Sequence, residues 1–230
     1  MRRWLEHLHR RPHELSPMDA YARWAPVYPP KPSTPLMALE QPVLLAMLPE
    51  IKDCRALDLG CGSGRYLKEL LSRGASFAVG LDLSWPMTSC AHAISPCLNQ
   101  GDLRSLPLAD ASFDLVVCAL AIGHVEELQP AMTEIARVLM PGGVVIYSDF
   151  HPIGSFLGWK RSFKARDGAQ YSVSHHTHFY TDHHAACRSA VLTIEDVREP
   201  RITFPHRWQG CPAVIIIRAR KTAPNGVDRP

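Results

Sequence analysis

The sequence predicts an α/β fold, a mostly parallel sheet with helices packed on both of its faces. Three observations carry that expectation. Apolar stretches alternate with amphipathic ones between residues 55 and 149. The apolar stretches are nearly continuous, as in Phe113–Leu120 and Val144–Asp149. A glycine-rich loop, Gly60-Cys-Gly-Ser-Gly64, directly follows the first of them. Strands covered on both faces need continuous apolar runs, and parallel neighbours need crossover connections, usually helices.

Taken in order, residues 1–50 read as a Pro-rich lead-in. Ser16-Pro-Met-Asp19 is a helix start, with Ser as cap and Pro in the first turn, and the helix runs to about Trp24. Pro26, Pro29, Pro30, Pro32 and Pro35 then forbid regular structure. A second helix covers Leu36–Leu48, kinked at Pro42. Arg55–Leu59 is a strand. Arg65–Arg73 has helical spacing, with Leu67, Leu70 and Leu71 on one face, and stops at Gly74.

Phe77–Leu81 is the next strand, closing on Asp82, and Ser84–Ala93 reads as a helix with Pro86 in its first turn. Gly101-Asp-Leu103 is weakly strand-like, and Leu106–Ser112 is a polar turn. Phe113–Leu120 is a buried strand, Glu127–Leu139 an amphipathic helix ending at Met140-Pro-Gly-Gly143, and Val144–Asp149 another strand.

Residues 151–180 break the rhythm. Trp159–Arg166 and Ala169–Val173 flank Asp167-Gly168, a hairpin turn signal. Thr181–Ser189 reads as a capped helix, and Leu192–Val197 and Ala213–Arg220 as the last strands. No internal repeat is visible. The expected organisation is a single domain over residues 1–230. It comprises an N-terminal cover (1–50), a core (51–150), an inserted hairpin lid (151–180) and a C-terminal helix with the last strands (181–230).

Composition narrows the function classes. The 230 residues are 46% hydrophobic and 20% charged, with a formal charge of +3, which argues against disorder. The longest apolar runs, Gly143–Tyr147 and Ala213–Ile217, fall far short of the ~20 residues of a spanning helix. The basic stretch Met1–Arg11 lacks the apolar core of a secretory signal. Seven scattered cysteines without a Cys-x-x-Cys pair argue against a disulfide scaffold or a zinc knuckle, and the expected location is cytoplasmic. Charge is divided unevenly. Residues 1–150 carry 13 basic and 16 acidic side chains, and residues 151–230 carry 12 and 6, together with seven of the 12 histidines. Most of these basic residues read as a solvated surface, and the sharper reading is that part of 151–230 meets an anionic partner or substrate; a net charge of +3 is too mild to make nucleic acid the default partner.

The chemistry concentrates around Ala56-Leu-Asp58-Leu-Gly60-Cys-Gly62-Ser-Gly64-Arg65. Glycines after a strand let the backbone approach a ligand, and the next helix turns its N-terminal amides toward it. Asp82 ends the second strand, where a carboxylate can accept hydrogen bonds from a ribose diol. Arg65 stands where the dinucleotide pattern needs its third glycine, and there is no Gly-Lys-Ser/Thr phosphate loop.

These motifs resemble the class I S-adenosylmethionine-dependent methyltransferases, and most closely the ubiquinone/menaquinone-biosynthesis type. The resemblance also covers Gly80-Leu-Asp-Leu-Ser84, Gly101-Asp-Leu-Arg-Ser-Leu-Pro-Leu108, Ser112-Phe-Asp-Leu-Val-Val117, Gly123-His-Val125 and Glu134-Ile-Ala-Arg-Val-Leu-Met-Pro-Gly-Gly143. It implies a Rossmann-like fold with a seven-stranded sheet, S-adenosylmethionine as cofactor, and methyl transfer to an oxygen, nitrogen or carbon of a small molecule. Asp58, Gly60 and Gly62 would line the methionine end, Asp82 would hold the ribose diol, and Leu83 would lie against the adenine. Asp102 and the Leu103 amide would take the adenine edge. Ala119 and Leu120 would face the methionine amine and the reacting methyl. Tyr21 and Tyr28 match the segment that folds over the cofactor.

A base is needed where the acceptor must lose a proton. His124 is the first candidate, and its other reading is a capping or packing residue beside the cofactor. Gly123 stands where the family often has a second histidine, which would widen the pocket. His151 and His178 are further candidates bordering the substrate. The cluster His175, His176, His178, His183 and His184 lacks the spacing of a metal site and reads as lid or pocket lining.

Lys160, Arg161, Lys164 and Arg166 make the hairpin basic. Lys164 and Arg166 belong on its outer face, and an acidic substrate follows if one or two of the four turn inward. The sequence leaves oligomerisation open. The competing function is a protein of the same fold that binds the cofactor without methyl transfer, as a cyclase, isomerase or regulatory subunit.

Overall fold

The computed structural model describes residues 12–29 and 31–222. The N-terminal stretch to Arg11, and Pro30 among the breaking prolines, lie outside the described residues. A short strand β1 (His13–Leu15) leads into α1 (Pro17–Trp24), capped by Ser16, whose hydroxyl accepts from the Asp19 amide. After a turn of 3-10 helix comes α2 (Pro35–Ala46), capped in the same way by Thr34 and carrying Pro42 within it.

The central part runs β2 (Arg55–Leu59), α3 (Arg65–Ser72), β3 (Phe77–Asp82), α4 (Trp85–Ser89), β4 (Leu98–Gln100) and β5 (Phe113–Ala119). It continues with α5 (Leu128–Val138) and β6 (Leu139–Phe150). Then follow α6 (Pro152–Phe156), the hairpin β7 (Arg161–Lys164) and β8 (Gln170–Val173), α7 (Tyr180–Ser189), β9 (Leu192–Arg198) and β10 (Val214–Lys221).

Seven strands form one sheet in the order β4-β3-β2-β5-β6-β10-β9, parallel except for β10, which pairs antiparallel with both its neighbours. The expected mostly parallel α/β sheet is therefore present. Its strands are apolar on both faces, so each face carries its own core. Leu57, Leu59, Val116 and Tyr147 pack under α5 and α7, while Ala56, Leu115, Val117 and Ile146 pack under α2 and α3. Each fully buried Leu or Ile contributes about 1.5–3 kcal/mol, and this two-sided burial holds the strand ends that build the site.

Several boundaries differ from the sequence reading. The helix expected over Ser84–Ala93 ends at Ser89, and turns continue to about Ile94. The strand expected at Gly101-Asp-Leu103 lies at Leu98–Gln100 instead, and Asp102 makes only an isolated bridge with Ser105. β6 begins at Leu139, and the Pro-Gly-Gly segment, with Gly142 at φ +79°, lies within it where the pairing with β5 shifts register.

The lead-in is not purely helical. β1 pairs in parallel with β8 and, with β7, makes a separate three-stranded sheet. Under that sheet Trp24 stacks on Phe163 at 4.6 Å, with Ala20, Ala165 and Val173 around them. The N-terminal cover and the hairpin thus share a small core of their own, lying against the carboxyl edge of the main sheet. Among the described residues no helix is long and apolar enough to cross a membrane.

Candidate active site

The chain leaves β2 for β3 on one side and later returns to β5 on the other, so a crevice opens beyond the carboxyl ends of β2 and β5, where open α/β sheets take their ligands. The glycine loop forms its floor. The Gly60 and Cys61 amides both donate to the Leu81 carbonyl, at 2.7 and 3.0 Å, which folds the loop tightly over β3. Gly60 has φ of +70°, and a Cβ there would overlap Ala121. Gly64, at φ +83°, is the N-cap of α3.

Two carboxylates face this crevice, Asp58 buried and Asp82 half-buried. The Asp58 Oδ2 accepts from the Leu67 amide at 2.7 Å, and burial raises its pKa to about 7, against the pull of that amide. Asp82 accepts from the Gly62 amide at 2.9 Å and the Ser84 amide at 2.8 Å. Burial also raises Asp82, and the two amides partly offset it. The Ser84 hydroxyl is buried and has no protein partner among the described residues.

At the other end of the crevice, Arg161 Nη1 lies 2.7 Å from the Tyr21 hydroxyl, 2.9 Å from the Leu120 carbonyl and 2.7 Å from His124 Nε2. His124 Nδ1 is 3.1 Å from the Ser174 carbonyl. A carbonyl only accepts, so Nδ1 carries the proton and Nε2 offers its one lone pair to Arg161, with the Tyr21 hydroxyl 3.0 Å away. Burial, then the Arg161 charge, pulls the His124 pKa down to about 3. The imidazole is therefore neutral and its free nitrogen is occupied. Burial raises Tyr21 above the ordinary phenol range, so it too stays neutral.

Arg161 has no carboxylate within ion-pair distance among the described residues. Its guanidinium carbon sits 5.0 Å from the centre of the Phe150 ring. The other arginine lining the crevice differs, because Arg65 pairs with the fully buried Glu40 at 3.0 Å. Glu40 also accepts from Ser148 Oγ at 2.8 Å, and Ser148 Oγ accepts from the Leu120 amide at 2.9 Å. That chain holds Leu120 at φ +54°, a left-handed conformation unusual for leucine, and so fixes its carbonyl at Arg161.

The crevice brings together most of the residues expected from sequence: Tyr21, Tyr28, Asp58, Gly60, Gly62, Asp82, Leu83, Leu103, Ala119, Leu120 and His124. Three stand apart. Asp102 is bound bidentately by Arg104 and does not line the crevice. His151 caps α6 and pairs with Glu199 at 3.2 Å, lining neither this crevice nor the cavity beside it. His178 is buried against Asp149, at 3.1 Å, and the Glu126 carbonyl, at 3.2 Å, behind the crevice wall. Burial lowers the pKa of His178, but the bond to Asp149 outweighs it and the net shift is upward.

The space beside Gly123 is filled as well. A Cβ on residue 123 would overlap the Asp149 carboxylate, so the glycine makes room for Asp149 and does not widen the pocket. On the hairpin, Lys164 and Arg166 are exposed as expected, Lys160 pairs with Glu14, and Arg161 is the residue that turns inward. Sequence reasoning left that choice open, since facing depends on the strand's register against β8 and its seat on α1.

A second cavity of about 540 Å3 adjoins the first, sharing Met37, Leu120 and Arg161 with it. Trp159 and Trp208 both line it, whereas Trp85 is half exposed elsewhere.

The first crevice suits a cationic nucleoside ligand. S-adenosylmethionine carries a sulfonium, an ammonium and a ribose diol, and the crevice supplies two carboxylates, the Ser84 hydroxyl that has no partner among the described residues, and the Tyr21 and Tyr28 rings. Residues 57–147 match the family model described as a methyltransferase domain. A protein of Haemophilus influenzae is 27% identical, with 80% of this chain aligned to 87% of that one.

A malonyl-[acyl-carrier protein] O-methyltransferase of Pectobacterium atrosepticum is 32% identical over 63% of this chain, and the match spans 56% of the relative. The crystal structure of an S-adenosylmethionine-dependent methyltransferase from Mesorhizobium loti superposes with a TM-score of 0.65 and 26% identity, over 79% of this chain and 97% of the other. Residues 57–147 thus carry a methyltransferase domain, and the sheet and crevice built around them are similar to those of class I S-adenosylmethionine-dependent methyltransferases.

Proposed function

We propose that the protein transfers the methyl group to a carboxylate oxygen of an acidic small molecule, forming a methyl ester. The observation that carries this is Arg161, a cation at the inner end of the crevice with no carboxylate of its own. When bound, the cofactor supplies an electrophilic methyl on sulfur; the oxygen–carbon bond forms as the carbon–sulfur bond breaks, and the electron pair leaves with sulfur. A carboxylate is already deprotonated at neutral pH, so no base is required. That agrees with His124, whose pKa near 3 and occupied Nε2 make it a poor proton acceptor.

The residues then divide the work. Arg161 grips one carboxylate oxygen by a charge-assisted hydrogen bond and leaves the other free for attack. Tyr21, His124 and the strained Leu120 carbonyl orient the guanidinium. Asp82 takes the ribose diol, Asp58 and Gly60 the methionine end, and Leu83 with Leu103 packs around the adenine. An anion between the guanidinium and the sulfonium relieves the repulsion of two neighbouring cations. The O-methyltransferase relative lends support, since the free oxygen nucleophile of a malonyl group is a carboxylate.

The test uses Arg161→Gln with methyl-labelled cofactor and a metabolite extract. The variant should bind S-adenosylmethionine like the wild type and lose label transfer by at least about 30-fold, as expected for a desolvated charged hydrogen bond. A parallel loss of cofactor affinity would mean that Arg161 holds the cofactor's own carboxylate, and the proposal would fall.

A further inference from the structure

The second cavity has a composition that restricts what can enter it. Rings of Trp24, Phe150, Trp159, Phe204 and Trp208 line it, with Trp159 and Trp208 at 5.0 Å centre to centre. Its charged lining residues are Lys160 and Arg161, both basic, and among the described residues no Asp or Glu lines it. Lys160 is exposed and paired with Glu14, so among the described residues the cation within that lacks a carboxylate partner is Arg161, at the point where this cavity meets the crevice. At about 540 Å3 it falls within the range of small-molecule sites. Phe204 is partly exposed at its wall, where an incoming ring would cover it.

We infer that this cavity takes the body of the acceptor, and that the acceptor is a carboxylic acid carrying an aromatic ring system, its carboxylate on Arg161 and its rings among the tryptophans. The inference rests on the carboxylate reading above and adds the chemical class of the rest of the molecule. Aromatic pairs gain stabilisation beyond area burial from offset and edge-on contacts, which flexible chains do not make. A rigid ring also loses less conformational freedom on entry than a chain of equal carbon count. The Trp159 and Trp208 rings are tilted at 51° to each other, and the Arg207 guanidinium covers the Trp208 ring at 3.9 Å.

The experiment measures binding of four probes to the full chain saturated with S-adenosylhomocysteine, by calorimetry or tryptophan fluorescence. They are naphthylacetate, its neutral isostere naphthylacetamide, dodecanoate with the same carbon count, and acetate. Naphthylacetate should bind at least about ten-fold tighter than each of the other three, a difference of about 1.4 kcal/mol. Arg161→Gln should erase the preference for acid over amide. Trp208→Leu should erase the preference for naphthylacetate over dodecanoate while leaving cofactor affinity, and hence the fold, unchanged.

Acetate or dodecanoate binding as tightly as naphthylacetate would overturn the cavity assignment and leave the carboxylate reading standing. Naphthylacetamide binding as tightly would overturn the carboxylate reading itself.

Discussion

Arg161 Nη1 and His124 Nε2 sit 2.7 Å apart, with the guanidinium donating into the one lone pair the imidazole has left. A histidine so engaged aims a cation and does not remove a proton. His124→Gln should therefore lower kcat by less than about ten-fold, against the 100-fold or more that loss of a general base costs. The dependence of kcat on pH should lack a histidine limb between pH 6 and 8 in both proteins. A wild-type limb near the ordinary histidine value that disappears in the variant would restore His124 as the base.

Asp58 should set the pH dependence of cofactor binding. Burial holds its pKa at about 7, and a bound sulfonium and ammonium favour the charged form. The cofactor must then expel a proton to bind below that value. Affinity for S-adenosylmethionine should rise as pH increases from 6 to 8, by up to about ten-fold per unit on the acid side. Calorimetry in buffers of different ionisation enthalpy should show proton release near neutrality. Asp58→Asn should flatten the dependence.

Two other histidines tie stability to pH with a definite sign. Burial depresses His183 to about 4, and both its ring nitrogens lack partners among the described residues; His124 lies near 3. For a depressed pKa the stabilisation is present above the unfolded value, near 6.5, and is lost as pH falls toward 4 and below. His178 is raised by Asp149, so its contribution has the opposite sign and fades as pH rises through its folded value. Urea unfolding should show stability falling by roughly 2–3 kcal/mol per buried neutral histidine across the acid range. His183→Phe should remove part of that fall and be neutral or stabilising at pH 7.

Gly123 and Asp149 compete for one volume. Gly123→Ala should cost roughly 1–3 kcal/mol by overpacking, seen as a lower Tm. Combining it with Asp149→Ala should cost less than the sum of the two, with a coupling of at least about 0.5 kcal/mol.

The buried Glu40 links Arg65 to the Leu120 backbone through Ser148. Glu40→Gln strands the Arg65 charge and should destabilise by about 3–5 kcal/mol. Ser148→Ala should be milder in stability yet lower kcat, because it loosens the Leu120 carbonyl that Arg161 meets. An unchanged kcat in Ser148→Ala would remove the strained carbonyl from the account.

The cofactor crevice was legible because its signals are local. Asp58, the glycines and Asp82 follow one another at strand–loop–helix spacings that the backbone alone imposes, and the strands they end are marked by continuous apolar runs. The acceptor end was not legible in that way. Tyr21, Leu120, His124 and Arg161 come from four separate elements, and β1 reaches the hairpin through a parallel pairing with no turn signal between them. The hairpin itself was visible from Asp167-Gly168, but not which of its basic residues faced inward. His151 and His178 shared a residue type with His124 and nothing else. The first is drawn to a helix cap and Glu199, the second to a buried carboxylate, and neither preference shows in spacing.

The central claim is that the acceptor atom is a carboxylate oxygen, and the nature of the labelled product tests it most directly. Protein, methyl-labelled S-adenosylmethionine and a metabolite extract are incubated, and the small-molecule products are treated with mild alkali. Methyl esters hydrolyse under these conditions, so the account predicts that the label leaves as volatile methanol. Label that stays with the product through alkali, as an ether, an amine or a carbon-bound methyl, would contradict it.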